Sequence, residues 1–454
     1  MSSKFTHEEI LARLSADNVE FINLQFSDMM GMAKSVTIPV SKFSDVLKFN
    51  LWFDGSSVEG FTRIFESDML LKPDLDTYCV IPWDEEDGMN VARFICDVNT
   101  PNNQPYESDP RYILQKVLKE AEDLGYIFNT GPELEFFLFK NENGGIRTAA
   151  KKMTETHDRG QYFDLVLDLG YEVRREMMRA LIKMGIDVEA AHHEVAPGQH
   201  EIDFKYDDAL TTADRVITMK YTLKAIAERY GLFASFMPKP IAGINGSGMH
   251  VHQSLFSIET GDNIFFDAKD KYKLSETAYH FLAGQMHHVK GMAAILNPLV
   301  NSYKRLVPGY EAATYICWAQ TNRSALVRVP MYSQGKDKAT RMEIRCPDPS
   351  SNPYLAFAVL LKAGLEGIKN KMKAPAPVEE NVFEFDSNEL EQRNIETLPP
   401  SLWHAVDELS KDTVIQEVLG QDLVKKYIRA KQKEWDSFRL HVTDWEIGEY
   451  LEII

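Results

Sequence analysis

Apolar positions along the chain recur with two periods, and each change of period marks an element. Thr6 to Glu9 has the form of a capping box, and "EEILARLSA" behind it predicts a short helix. "VEFINLQFSD" and "AKSVTIPV" alternate apolar and polar residues with a period of two, as half-buried strands do. This mostly-β segment runs to about residue 100, where "DVNTPNNQPYESDP" is polar and rich in turn residues. Asp109 and Pro110 then read as an N-cap and a first helical position. Apolar Tyr112, Leu114, Val117, Leu118 and Ala121 follow, and Gly125 closes the helix. The spacing predicts further helices over "YEVRREMMRALIKMG", ended by Gly185, and "TTADRVITMKYTLKAIAERYG", ended by Gly231. "AYHFLAGQMHHVKGMAAIL" and "NPYLAFAVLLKAGLEGIKNK" predict two more. The expected organisation is a mostly-β domain over residues 1–104 and a larger domain of helices and strands over 105–454.

Composition narrows the function. The 454 residues carry a formal net charge of −18. A field of that sign argues against nonspecific nucleic-acid binding and against anionic membranes. Cys79, Cys96, Cys317 and Cys346 form no CxxC pair, so neither a zinc ribbon nor a disulfide scaffold is expected. The thiols suit a reducing, cytoplasmic compartment. The N-terminus lacks a signal-peptide pattern, and no apolar run approaches the ~20 residues of a membrane span.

Candidate chemistry sits on strands with one polar face. In "GPELEFFLF", Glu133 and Glu135 share a face roughly 6.5–7 Å apart, with Leu134 and Phe136 opposite. Two carboxylates on an apolar strand mean either a cation site or an exposed edge. In "HHEVAPGQHEIDF", a tight turn centred on Pro197 and Gly198 would set Glu194 opposite Glu201. Facing like charges repel, and a divalent cation would reverse the sign. Pro-Gly suits a type II turn, which leaves a longer loop with another register open. "INGSGMHVHQSLF" puts His250, His252 and Ser254 on one face, and "TRMEIRCPD" does the same for Arg341, Glu343 and Arg345. Arg305, Arg323 and Arg328 add to an Arg-rich stretch. No GxxxxGK[ST] or GxGxxG motif is present to hold phosphates. Carboxylates with one imidazole suit Mg²⁺ or Mn²⁺. Two such ions beside Arg residues point to phosphoryl transfer.

These blocks, together with "WFDGSSVEGFTRIFESDMLL", "KPIAGINGSGMHVHQS", "KRLVPGYEA", "NRSALVRVP" and "RMEIRCPDPSSNPYLA", resemble the type I glutamine synthetase family in order over nearly the whole chain. The resemblance implies an α+β fold: a β-grasp-like N-terminal domain, and a catalytic α/β domain on a curved, mostly antiparallel sheet. It implies ATP-dependent ligation of ammonium to glutamate through γ-glutamyl phosphate, with two Mg²⁺ per site (Mn²⁺ being the alternative). Glu135, Glu194 and Glu201 would hold one ion, and Glu133, His250 and Glu343 the other. Asn245, Gly246, Arg305 and Arg345 would bind glutamate. Glu189, His252, Gln253, Ser254, Arg323, Arg328 and Arg341 would serve nucleotide and phosphate. Asp54 and Ser57 of a neighbouring subunit, with Tyr162 and the flap residue Glu311, would form the ammonium pocket. The implied assembly is a homo-oligomer, a dodecamer of two hexameric rings with active sites between subunits.

Departures from the family pattern sharpen the reading. The flap reads "YEAA", with Ala313 where Pro is common. Phe383 stands where the adenylylated subgroup carries Tyr, and the spacing from Glu135 to Glu194 leaves no room for that subgroup's insertion. Both place the chain in the unadenylylated subgroup, where Arg63 occupies the position that couples glutamine to feedback inhibition. 2-Oxoglutarate and a nitrogen-signalling protein partner are the further effectors to consider. The competing readings are a ligase for another amine, an inactive assembly protein of the same fold, and a metal-dependent phosphohydrolase.

Overall fold

The computed structural model describes residues 4–58, 68–140, 156–308 and 312–454. Thr6 caps the helix His7–Ala16: its hydroxyl accepts from Glu9 N at 3.2 Å, and Glu9 Oε2 accepts from Thr6 N at 2.7 Å. The cap aims Ile10 and Leu14 at a five-stranded sheet of β1 (Val19–Ser27), β2 (Ala33–Pro39), β3 (Leu51–Asp54), β4 (Asp68–Glu86) and β5 (Met89–Asn99). The order is β2-β1-β5-β4-β3, with β1 and β5 parallel at the centre and antiparallel pairs outside them. Phe43 and Phe94 stack at 4.7 Å in its core.

The larger domain is built on β6 (Tyr126–Lys140), β7 (Val188–His193), β8 (Gln199–Phe204), β9 (Asp207–Asp208), β10 (Leu232–Ser235), β11 (Met249–Ser257), β12 (Tyr315–Ala319), β13 (Ala325–Arg328) and β14 (Met342–Ile344). Among the described residues the main path is β12-β13-β14-β11-β6-β8-β7, with β9 and β10 also pairing with β6. All pairs are antiparallel except β12 with β13. β6 is interior, flanked by β11 and β8, so the acidic positions of "GPELEFF" do not lie on an exposed edge. Its other face, Leu134 and Phe136, is fully buried in the main core with the helices Ala209–Arg229, Glu276–Leu296 and Pro353–Lys369. The expected helix ends hold: Asp109 caps Pro110–Asp123, and Gly125, Gly185 and Gly231 take positive φ just beyond their helices. No helix among the described residues is long and apolar enough to cross a membrane.

Arg111 fastens the two domains together. Buried at the helix Pro110–Asp123, it pairs with Asp214 at 2.9 Å, Asp97 at 2.5 Å and Asp74 at 2.7 Å. Asp97 and Asp74 belong to the N-terminal sheet.

Candidate active site

Register brings distant segments into one polar face. On β6, Glu133 lies opposite His250 of β11, and Glu135 lies opposite Glu201 of β8. Glu343 of β14 pairs with His252 of β11 and with Arg328 of β13. Glu133, Glu135, Tyr162, Glu194, Glu201, Asn245, Gly246, His250, Arg305, Arg323, Arg328, Glu343 and Arg345 thus all line one cavity of ≈ 360 Å³.

The hairpin register differs from the tight-turn expectation. His192 faces Glu201 and His193 faces His200, while Glu194 N donates to Gln199 O at 2.8 Å. Glu194 therefore does not stand opposite Glu201. The cause is the turn: Gln199 N donates to Ala196 O at 3.0 Å, and Gly198 has φ +69°. That is a type II turn with Pro197 in its favoured place, and its twist does not close a two-residue hairpin. A longer loop takes its place, and the carboxylate that faces Glu201 is Glu135, on the other neighbouring strand.

Two groups of ligand-type atoms result. Glu133, His250 and Glu343 form one; His250 Nδ1 lies 3.2 Å from Glu133 and 3.4 Å from Glu343. His192, Glu194 and Glu201 form the other, with His192 Nε2 2.8 Å from Glu194 and 3.9 Å from Glu201. Glu135 joins this second wall with its Oε2 held by Gln199 Nε2 at 2.7 Å and Gly248 N at 2.9 Å. Burial, reinforced by neighbouring carboxylates, pushes Glu135 up to about 8 and Glu201 up to about 11. Glu133 moves the other way: burial opposes its charge, but hydrogen bonds with His250 and His252 outweigh it. Burial also lowers His250, which favours the neutral imidazole a metal needs. Facing carboxylates of raised pKa with one neutral imidazole fit hard divalent cations.

Arginines adjoin the first group of ligand-type atoms. Arg328 Nε lies 2.6 Å from Glu343, and Arg345 Nε lies 3.2 Å from it. Arg305 is pinned by the carbonyls of Cys346 at 2.8 Å and Arg345 at 3.2 Å. Arg341 donates to His252 Nδ1 at 3.1 Å, and His252 Nε2 reaches Glu133 at 2.7 Å. The glycines of "INGSG" leave room for these groups: a Cβ on Gly246 would lie 2.1 Å from Pro238 O, and one on Gly248 2.6 Å from an Arg305 nitrogen. Gln199 is not singled out by the sequence; the histidines of "HHEVAPGQHEIDF" draw attention there but are expected not to be ligands, whereas His192 stands among the ligand-type atoms of the second group. Their roles come from contacts that local spacing does not reveal.

A family model described as "Glutamine synthetase, catalytic domain" matches residues 107–450, and "Glutamine synthetase, beta-Grasp domain" matches residues 18–101. The chain belongs to the glutamine synthetase family. It is 51% identical over 451 residues to a glutamine synthetase of Thermus thermophilus, covering 98% of this chain and 99% of that protein. It is 50% identical over 450 residues to one of Clostridium saccharobutylicum, covering 99% of each. Among solved structures, glutamine synthetase of Plasmodium falciparum superposes with a TM-score of 0.86 at 25% identity, covering 99% of each chain. GmaS in complex with ADP gives a TM-score of 0.86 at 31% identity, covering 98% of this chain and 99% of that one. The β-grasp and catalytic domains and the mostly antiparallel sheet are those of glutamine synthetases.

Several family-derived positions lie away from the cavity of this chain. Asp54 is exposed at the end of β3, where its Oδ1 accepts from Ser56 N at 2.8 Å; Ser57 closes the short turn behind it. Glu189 is exposed at a register irregularity of β7. His252 and Ser254 share the His250 side of β11, as expected. Gln253 points the opposite way, exchanging hydrogen bonds with Gln285 of the helix Glu276–Leu296 at 2.6 and 3.2 Å. Glu311 and Arg63 lie outside the described residues.

Proposed function

We propose that this cavity ligates ammonium to L-glutamate with ATP, giving L-glutamine, ADP and phosphate. The observation that carries this reading is the meeting of two carboxylate-rich groups with Arg305, Arg323, Arg328 and Arg345 around one cavity. Glu135, Glu194 and Glu201 would hold one divalent cation, and Glu133, His250 and Glu343 the second; His192 borders the first. When bound, the ions (Mg²⁺ in this reading, Mn²⁺ the alternative) neutralise charge on the phosphates.

Arg305 and Arg345, with Asn245 and Gly246, orient glutamate so that its side-chain carboxylate faces the terminal phosphate. Arg323, Arg328 and Arg341 offset the charge of the phosphoryl group as it moves. Glu189, His252 and Ser254 serve the nucleotide. The carboxylate attacks phosphorus, ADP leaves, and γ-glutamyl phosphate forms. Asp54 and Ser57 of a neighbouring subunit, with Tyr162 and Glu311, receive ammonium. Asp54 takes its proton, ammonia attacks the acyl carbon, and phosphate departs. Glu311 on the closing flap keeps water from the acyl phosphate.

The exposed position of Asp54, outside its own chain's cavity, supports a homo-oligomer that completes sites between subunits. We take this to be a cytoplasmic dodecamer of two hexameric rings, with each chain divided after residue 104. Arg63 couples glutamine to feedback inhibition, and a nitrogen-signalling protein is a further partner. The test is stoichiometric release of phosphate and glutamine that requires glutamate, ammonium and Mg²⁺ together, with other amines compared against ammonium and particle mass measured in parallel. Phosphate release without glutamate, or no turnover with ammonium, refutes the reaction. An Arg63→Ala enzyme as glutamine-sensitive as wild type refutes the feedback role.

A further inference from the structure

Behind the cavity wall, Asp158, His193 and His200 form a buried cluster that no step of the proposed reaction uses. Their ligand-type atoms are close enough to suggest a third metal site, but hydrogen-bond chemistry opposes it. Arg174, clamped by Asp168 at 2.7 and 3.1 Å, lies 2.9 Å from His200 Nδ1. A guanidinium only donates, so Nδ1 accepts, and the proton of a neutral ring sits on Nε2, leaving no lone pair there for a cation. Backbone also fills the space: a Cβ on Gly170 would lie 2.7 Å from His200 Nε2, and one on Gly160 2.8 Å from His193 Nε2.

The contacts of Asp158 join two pieces of chain instead. Its Oδ1 accepts from Gly198 N at 2.9 Å, lies 2.9 Å from His193 Nε2, and accepts from Gly160 N at 3.3 Å. The other ring nitrogen of His193 lies 2.6 Å from Glu194 O. One carboxylate, directly and through His193, thus holds both the type II turn and the backbone of Glu194. Phe163 N donates to His193 O at 3.3 Å, and the Tyr162 ring lies 5.5 Å from that of His192. Residues 194–198 lie between β7 and β8, outside both strands, so their position depends on such anchors. Hydrogen bonds to an ionised carboxylate are the stronger kind.

We propose that Asp158 is a positioning residue for ligation, fastening the segment that carries Tyr162 to the hairpin that carries Glu194 and Glu201. The inference rests on the glutamine synthetase reading of the cavity. It is tested by steady-state kinetics of Asp158→Ala in the assembled enzyme. The KM for ammonium and the half-saturating Mg²⁺ concentration should each rise about tenfold or more, as for lost supports of metal ligands. The KM for ATP should stay within about twofold, because uniform binding is untouched. Asp158→Asn, which keeps an accepting oxygen, should fall between Ala and wild type.

Wild-type values for ammonium and Mg²⁺ overturn the proposal. So does an equal rise in all three constants accompanied by a lower Tm, the mark of general loosening. If the Ala variant fails to assemble, Asn decides by the same criteria. Glu201→Gln, measured in parallel, separates the two claims. Full activity there sinks the reading of the cavity itself, whereas loss there with a normal Asp158→Ala sinks only the positioning role.

Discussion

Glu135 and Glu201 stand directly opposite one another on adjacent antiparallel strands, and both are buried. Two carboxylates so placed oppose each other's ionisation, and a divalent cation between the walls reverses that penalty. Glu201→Gln should therefore melt at a higher temperature than wild type in chelator at pH 8, and lose most of the stabilisation that Mg²⁺ gives wild type. Turnover should fall on the order of 100-fold or more, a scale typical of lost transition-state electrostatics. Thermal denaturation with and without Mg²⁺ checks the first part. Equal melting in chelator would show that the pair carries no repulsion.

Gln253 gives a test in the opposite direction. Its amide is satisfied by Gln285, on the face of β11 turned away from the cavity. Gln253→Ala should cost about 1–3 kcal/mol, since the buried Oε1 of Gln285 loses its donor while its Nε2 keeps the carbonyl of Leu360. The KM for ATP should stay close to wild type. Chemical denaturation and ATP titration separate the outcomes, and a large rise in that KM would return the side chain to the nucleotide.

Gly246 and Gly248 are places where backbone and guanidinium come too close for a side chain. Gly246→Ala should push Asn245 and its loop off Pro238, and Gly248→Ala should displace Arg305. Each should raise the KM for glutamate about tenfold or more, as misplacement of binding groups does. Saturation curves for glutamate and ATP check the selectivity, and unchanged glutamate saturation would count against the assigned pocket.

The domain junction should respond to both charge and pH. Arg111→Ala would strand Asp74, Asp97 and Asp214, and removing one partner of a buried ion cluster costs about 3–5 kcal/mol. Urea denaturation gives that number directly, and a wild-type midpoint would contradict it.

Beside it, burial pushes Asp109 up to about 7, from an ordinary value of 3.8. The folded state therefore keeps a proton that the unfolded state has released, and stability falls as pH rises from about 4 to about 7. At about 1.4 kcal/mol per pH unit, the loss attributable to this group is at most ~4 kcal/mol. Asp109→Asn retains the cap and should flatten the stability profile across that window, as measured by denaturation at several pH values.

Local physics was legible in the chain. Thr6 with Glu9, Asp109 with Pro110, and the glycines at 125, 185 and 231 bound helices because caps and left-handed closures involve only neighbouring residues. Period-two alternation likewise put Glu133 with Glu135, and Arg341 with Glu343, on common faces. Pairing between strands was not legible, because it depends on partners far apart in sequence. The meeting of His250 with Glu133 across 117 positions was expected only from the family resemblance and not from spacing, and Glu135 rather than Glu194 faces Glu201. The hairpin took its register from its own type II turn, which does not close two strands tightly, while a carboxylate that holds that turn comes from Asp158, 40 positions away. The sequence by itself determined the elements, their polar faces and the family. Only the tertiary structure decided which faces meet, because strand pairing and burial are settled by the whole core at once.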